Sequence, residues 1–159
     1  MNLDDGTIIH STLEQGYDFY ITDKWQKKYH FKISTFAVPS GLLSEAIEVT
    51  DSNNVLRTFR VLSEFKADIE KSELLLKAKI RKGINQKHLN IVEGEISITD
   101  EQILRGAIGS TNNLSDTDFN TTLEIDGKRI TIEEFVKMLD IFGGFNFKFQ
   151  IVDSADELD

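Results

Sequence analysis

The chain has 159 residues, 40% of them apolar, and a formal net charge of −9. That is enough for one well-filled interior and short for two, so one domain spanning 1–159 is expected, with 1–15 and 153–159 frayed. The absence of cysteine excludes disulfides, thiolate metal sites and cysteine nucleophiles, and suits a reducing cytosol.

The acids are unevenly placed. Residues 1–65 carry nine acids and six bases, 66–88 three and seven, and 89–159 fifteen and five. An acidic second half repels phosphate backbones, which disfavours nucleic acid as a general partner. No stretch approaches the roughly 18 apolar residues that span a bilayer, and no basic, apolar leader opens the sequence. A cytoplasmic protein without membrane contact is the expectation.

In chain order, Tyr17 to Thr22 reads as a strand, and Lys24 to Lys28, with Trp25, as its connection to the next. Tyr29, Phe31 and Ile33 alternate with His30, Lys32 and Ser34, a period of two that predicts a half-buried strand. Pro39-Ser40-Gly41 supplies a turn, Ile47 and Val49 the next strand, Asp51 to Asn54 another turn, and Phe59 and Val61 the last member of an antiparallel meander. Glu45 shares the parity of Leu43, Ile47 and Val49, which makes it a candidate buried acid pointing inward, the plainer alternative being a paired or edge-exposed glutamate.

Residues 67–88 predict the longer helix. Ile69, Leu76, Ile80 and Ile84 form its buried stripe, and Lys71, Lys79 and Lys82 stand on roughly the opposite side as a candidate interaction face. Gly83 weakens the end of this helix by about 1 kcal/mol relative to alanine. Beyond it, Glu95 to Thr99 and Gln102 to Ile108 are expected to form a hairpin around Asp100-Glu101, and 110–120 a polar loop.

The C-terminal third carries the strongest local signals. Asp126-Gly127 between Leu123/Ile125 and Ile130/Ile132 predicts a two-residue hairpin turn. Thr131 and Glu134 have capping-box spacing, and Ile132, Phe135, Val136, Leu139 and Phe142 give the following helix one apolar face. Gly143-Gly144 ends it, and Phe145, Phe147, Phe149 and Ile151 alternate with polar residues as a core strand would. Together these elements predict an α+β fold, a largely antiparallel sheet with two main helices packed on one face.

Familiar chemistry is missing from the sequence. His10, His30 and His88 have no ligand spacing, and neither a nucleophile elbow nor a phosphate-cradling glycine loop occurs. Asp116 to Glu124 begins like a calcium loop, but Thr121 stands where glycine is needed and Gly127 where a bidentate glutamate is needed. Gly106-Ala-Ile-Gly109 has the form of an RNA-backbone clamp and reads better as a strand of small residues. Asn113 and Asn120 head glycosylation sequons that, without an export signal, read as loop residues. No catalytic, metal or cofactor residue is therefore expected.

The segment Lys79-Ile-Arg-Lys-Gly-Ile-Asn-Gln-Lys-His-Leu89, Arg105-Gly-Ala-Ile108, Ile125-Asp-Gly-Lys128, Glu133-Glu-Phe135, Met138-Leu139, Gly144-Phe-Asn-Phe147 and Ile151-Val-Asp-Ser154 together resemble a family of uncharacterised bacterial domains. The resemblance spans about 28–157 and implies an α+β fold and a bacterial origin, but no activity and no functional residue. The expected function is a non-enzymatic intracellular interaction or regulatory module whose partner is a protein or a second copy. The alternatives are a small-molecule binder or enzyme with an unfamiliar site around Glu45, His30 or tyrosines, and a nucleic-acid contact through Lys71, Lys79 and Lys82.

Overall fold

The computed structural model describes residues 16–50, 57–110 and 119–156. The turn expected at Asp51 to Asn54, the first three residues of the calcium-like loop (116–118), Asn113 and His10 lie outside them. The chain divides into two compact units, Met1–Asn85 with Val152–Asp159, and Gln86–Ile151. Two clusters of buried side chains, one in each unit, stand where a single shared interior was expected.

The first unit contains four strands, β1 (Tyr17–Thr22), β2 (Lys28–Val38), β3 (Gly41–Glu48) and β4 (Thr58–Ser63), followed by the helix α1 (Ile69–Ile84). The strands pair in sequence order, all antiparallel, as the alternation predicts. Tyr17, Ile33, Ala46 and Phe59 form one row across all four strands. Leu76, Ile80 and Ile84 of α1 close over this face, with Phe31 and Ile33 fully buried. Asp68 caps the helix by accepting the Glu70 amide. Gly83 lies inside α1, and a Cβ there would stand 2.6 Å from the Phe59 ring. The glycine makes room for an aromatic ring instead of ending the helix.

The second unit builds two small sheets and a helix. β5 (Leu89–Val92) pairs with β6 (Glu95–Ile98), and β7 (Ala107–Ser110), β8 (Thr121–Ile125) and β9 (Lys128–Thr131) form a three-stranded antiparallel sheet in that order. The expected hairpin around Asp100-Glu101 is thus replaced by two pairings. Glu93 and Gly94, both at positive φ (52° and 81°), make the tight turn that joins β6 to β5 instead. Asp126 and Gly127, at 54° and 76°, make the turn expected between β8 and β9.

The helix α2 (Ile132–Leu139) starts on the expected capping box, with Thr131 accepting the Glu134 amide at 3.0 Å and Glu134 accepting that of Thr131 at 2.9 Å. A short 3-10 turn, Asp140–Phe142, extends it, and Gly144 takes the left-handed conformation at φ 90°. Its buried side is centred on Met138 beside Phe135, against Leu89, Ile125 and Ile130. Val136 and Leu139, expected inside, are exposed.

The core strand expected from Phe145 to Ile151 is absent among the described residues. Residues 145–151 pair with no strand among the described residues, and Phe145, Phe147, Phe149 and Ile151 are 62%, 89%, 66% and 68% exposed. Alternation shows which face such a strand would bury, but only a neighbouring edge can supply the ladder. In the described part of the tail, residues 153–156, the Asp153 carboxylate accepts the Ala155 amide and its carbonyl accepts that of Asp156.

Candidate functional site

Between α1 and its sheet lies a polar cluster that periodicity alone does not reveal. Glu73 occupies the sheet-facing side of α1, where its carboxylate accepts the Tyr17 hydroxyl at 2.8 Å and the Thr35 hydroxyl at 2.7 Å. Thr35 Oγ1 is 2.9 Å from Ser44 Oγ, and both residues are fully buried. With Thr35 donating to the carboxylate, Ser44 donates to Thr35. Burial pushes the Tyr17 phenol well above its ordinary value, and the Glu73 hydrogen bond and charge act in the same direction. The Lys77 ammonium lies over the Tyr17 ring at 5.2 Å and the Phe19 ring at 5.1 Å. Each of these polar groups is engaged by another member of the cluster, so its evident work is to tie helix to sheet.

A second cluster closes the connection between β1 and β2. The buried Asp23 carboxylate accepts the Trp25 and Lys27 amides at 2.8 and 2.9 Å and the Tyr29 hydroxyl at 3.1 Å. Burial pushes the Tyr29 phenol up to about 12, opposed by nearby Arg57 and reinforced by Asp23. This is a loop brace made of a carboxylate and a protonated phenol.

The face of the sheet opposite α1 carries the residues singled out from sequence. His30 Nε2 lies 2.8 Å from Asp18 Oδ1, and the His30 ring stacks on Tyr20 at 4.4 Å. The His30 bond, and after it Lys32, hold the exposed Asp18 carboxyl below its ordinary value. Glu45 belongs to this outer face and not to the interior, and it accepts from Arg60 Nε at 2.8 Å across a directly opposed register position. The buried parity of β3 is that of Leu42, Ser44 and Ala46. Small residues there leave room for Leu76 and Ile80, so the more apolar-looking parity faces outward.

On α1, Lys71 and Lys82 are exposed, at about 20° from one another around the helix, while Lys79 lies about 80° from Lys71 on the flank. Lys79 Nζ donates to the carbonyls of Arg60 at 2.8 Å and Asp156 at 3.2 Å. The outward stripe thus combines Lys71 and Lys82 with the exposed Leu74 and Leu75.

In the second unit, His88 is buried, with Nδ1 3.2 Å from the Ile103 carbonyl. The glycine pair serves strand packing: a Cβ at Gly106 would meet the Glu124 carbonyl oxygen at 2.3 Å, and one at Gly109 the Glu124 carboxylate at 2.5 Å. Among the described residues no group of three or more histidine and acidic side chains is arranged to hold a metal ion. Among the described residues no helix is long and apolar enough to cross a membrane. Val136, Leu139 and Ile141 are exposed, followed in the chain by the aromatic segment 145–151.

Comparison with known proteins adds two matches and places them on the same boundary. Residues 14–85 match the family described as Domain of unknown function (DUF7686), and residues 86–156 match Domain of unknown function (DUF7713). No curated protein and no solved structure matches. The resemblance to an uncharacterised domain family thus resolves into two, meeting between Asn85 and Gln86, where the compact units also divide.

Proposed function

We propose that this chain is a non-enzymatic interaction or regulatory module, acting in the cytoplasm by holding a protein partner or a second copy of itself. The observation that carries this reading is the segment Phe145 to Ile151, patterned as a strand, unpaired among the described residues and aromatic on one side. Taking about 200 Å² per phenylalanine, its three rings leave roughly 400 Å² of apolar surface in water. A patch of that order equals the largest found on a typical monomer, about 300–600 Å², and patches of that rank are often functional.

The titratable clusters support the same conclusion, because Glu73, Asp23 and Glu45 are each engaged by hydroxyls, amides or a guanidinium of this chain. Tagged wild type and the double variant F147D/F149D, purified from the cell of origin, test the reading. Proteins that accompany wild type and are lost from a folded variant are the expected result. Identical companions for both, or turnover of a substrate by both, would overturn it.

A further inference from the structure

The module reading leaves open what covers the aromatic segment, and the segment's own sequence contains an answer. An antiparallel pair related by a two-fold axis keeps all apolar side chains on one face only when the axis passes through a residue, since a half-residue shift mixes the faces. An axis at Lys148 sets two ammonium groups opposite one another, which is unfavourable. An axis at Phe147 instead sets Phe145 opposite Phe149 and Asn146 opposite Lys148. An axis at Phe149 sets Phe147 opposite Ile151 and Lys148 opposite Gln150. Both registers are self-complementary in shape and charge.

The exposed area also matches what such a pair requires. With Ile151 and the uncovered Val136, Leu139 and Ile141 added to the three rings, the apolar surface approaches the roughly 800 Å² per partner of a standard interface. An isolated two-stranded ribbon is marginal in water, so it needs an apolar surface to lie on. The exposed side of α2 is the one nearest in the chain, joined to the segment through Phe142, whose ring meets that of Phe145 at 5.4 Å.

We propose that residues 145–151 pair antiparallel with the same segment of a second copy of this chain, with the two-fold axis at Phe147 or Phe149, and that the ribbon's aromatic face packs on the exposed side of α2. This rests on the module reading and names its partner. The association is isologous: each copy offers the same strand and receives it.

The natural chain contains no cysteine, so single-cysteine variants give an unambiguous test. In full-length protein, F147C or F149C is expected to form a disulfide-linked dimer on mild oxidation, because directly opposed strand residues fall within disulfide reach. K148C is expected to cross-link poorly. Sedimentation should show a wild-type dimer, and F147D, with unchanged circular dichroism, should weaken self-association by about thirtyfold or more. A dimer that fails to cross-link at both 147 and 149 would overturn the proposal, since another surface must then join the copies. A monomeric wild type would also overturn it. If F147D/F149D nevertheless loses a cellular partner, the module reading stands without the pairing; if it loses none, both fail.

Discussion

The Asp126 carboxylate accepts the Leu89 amide at 2.8 Å, a hydrogen bond spanning 37 positions of sequence. It also accepts the His88 amide at 2.9 Å, so the turn between β8 and β9 anchors the start of β5. Asp126 itself has φ 54°, a conformation that asparagine tolerates and alanine does not. D126N should therefore cost about 1 kcal/mol through the weakened acceptor alone, and D126A about 2–3 kcal/mol. Urea unfolding gives the magnitudes, and faster hydrogen exchange at the His88 and Leu89 amides identifies the cause.

Replacing Gly83 by alanine tests a sign. Helix propensity alone predicts stabilisation by about 1 kcal/mol. The Phe59 ring atoms at 2.6 and 2.9 Å from the new Cβ predict the reverse. G83A should lose roughly 1–3 kcal/mol, as overpacked interiors do. In thermal melts, the double variant G83A/F59L should recover part of that loss.

Glu73 is expected to matter more than an ordinary helix glutamate. E73A leaves the fully buried Thr35 hydroxyl without its carboxylate acceptor, which should cost about 1–3 kcal/mol. Adding T35V removes the orphaned hydroxyl as well, so the double variant should be less destabilised than the single effects added together. Equilibrium unfolding of the four-member cycle measures the coupling.

Alkaline pH should act through Tyr29 and Tyr17. The fold favours both phenols in their neutral form, so the stability they contribute is intact below the ordinary value of 10. For Tyr29 it is lost as pH rises from there through about 12, and Tyr17 acts in the same sense. Y29F should abolish a phenolate absorbance step with its midpoint near 12, leaving the rest of the titration unchanged.

The elements most legible in sequence are those whose signal is contiguous. Asp126-Gly127, the Thr131/Glu134 box and the alternation of Tyr29, Phe31 and Ile33 each specify local geometry within a few residues, and each forms as expected. What escaped depends on partners far along the chain. The cluster of Tyr17, Thr35, Ser44 and Glu73 exists only because strand register and helix placement bring four separated polar residues together. Its one visible sign was a glutamate four residues beyond Ile69 and three before Leu76, on the stripe that should be apolar.

Which way Glu45 faces is hidden in the sequence for a related reason, and the Arg60 bond makes it the paired glutamate instead of the buried acid. Leu43, Ile47 and Val49 look like an interior because they are large, whereas the sheet buries Ser44 and Ala46 because a helix must fit above them. The division into two interiors was equally hidden, since composition measures how much apolar material exists and not how many groups it forms. Phe145 to Ile151 shows the complementary limit, because periodicity cannot provide the second strand of a ladder.

The first unit is not contiguous along the chain, since Val152–Asp159 belongs to it while Gln86–Ile151 intervenes. During translation the meander and α1 therefore emerge well before the Asp156 carbonyl to which Lys79 donates. A nascent chain halted after Asn85 would hold the strands and helix but not this last acceptor, which must wait for the whole intervening unit to leave the ribosome.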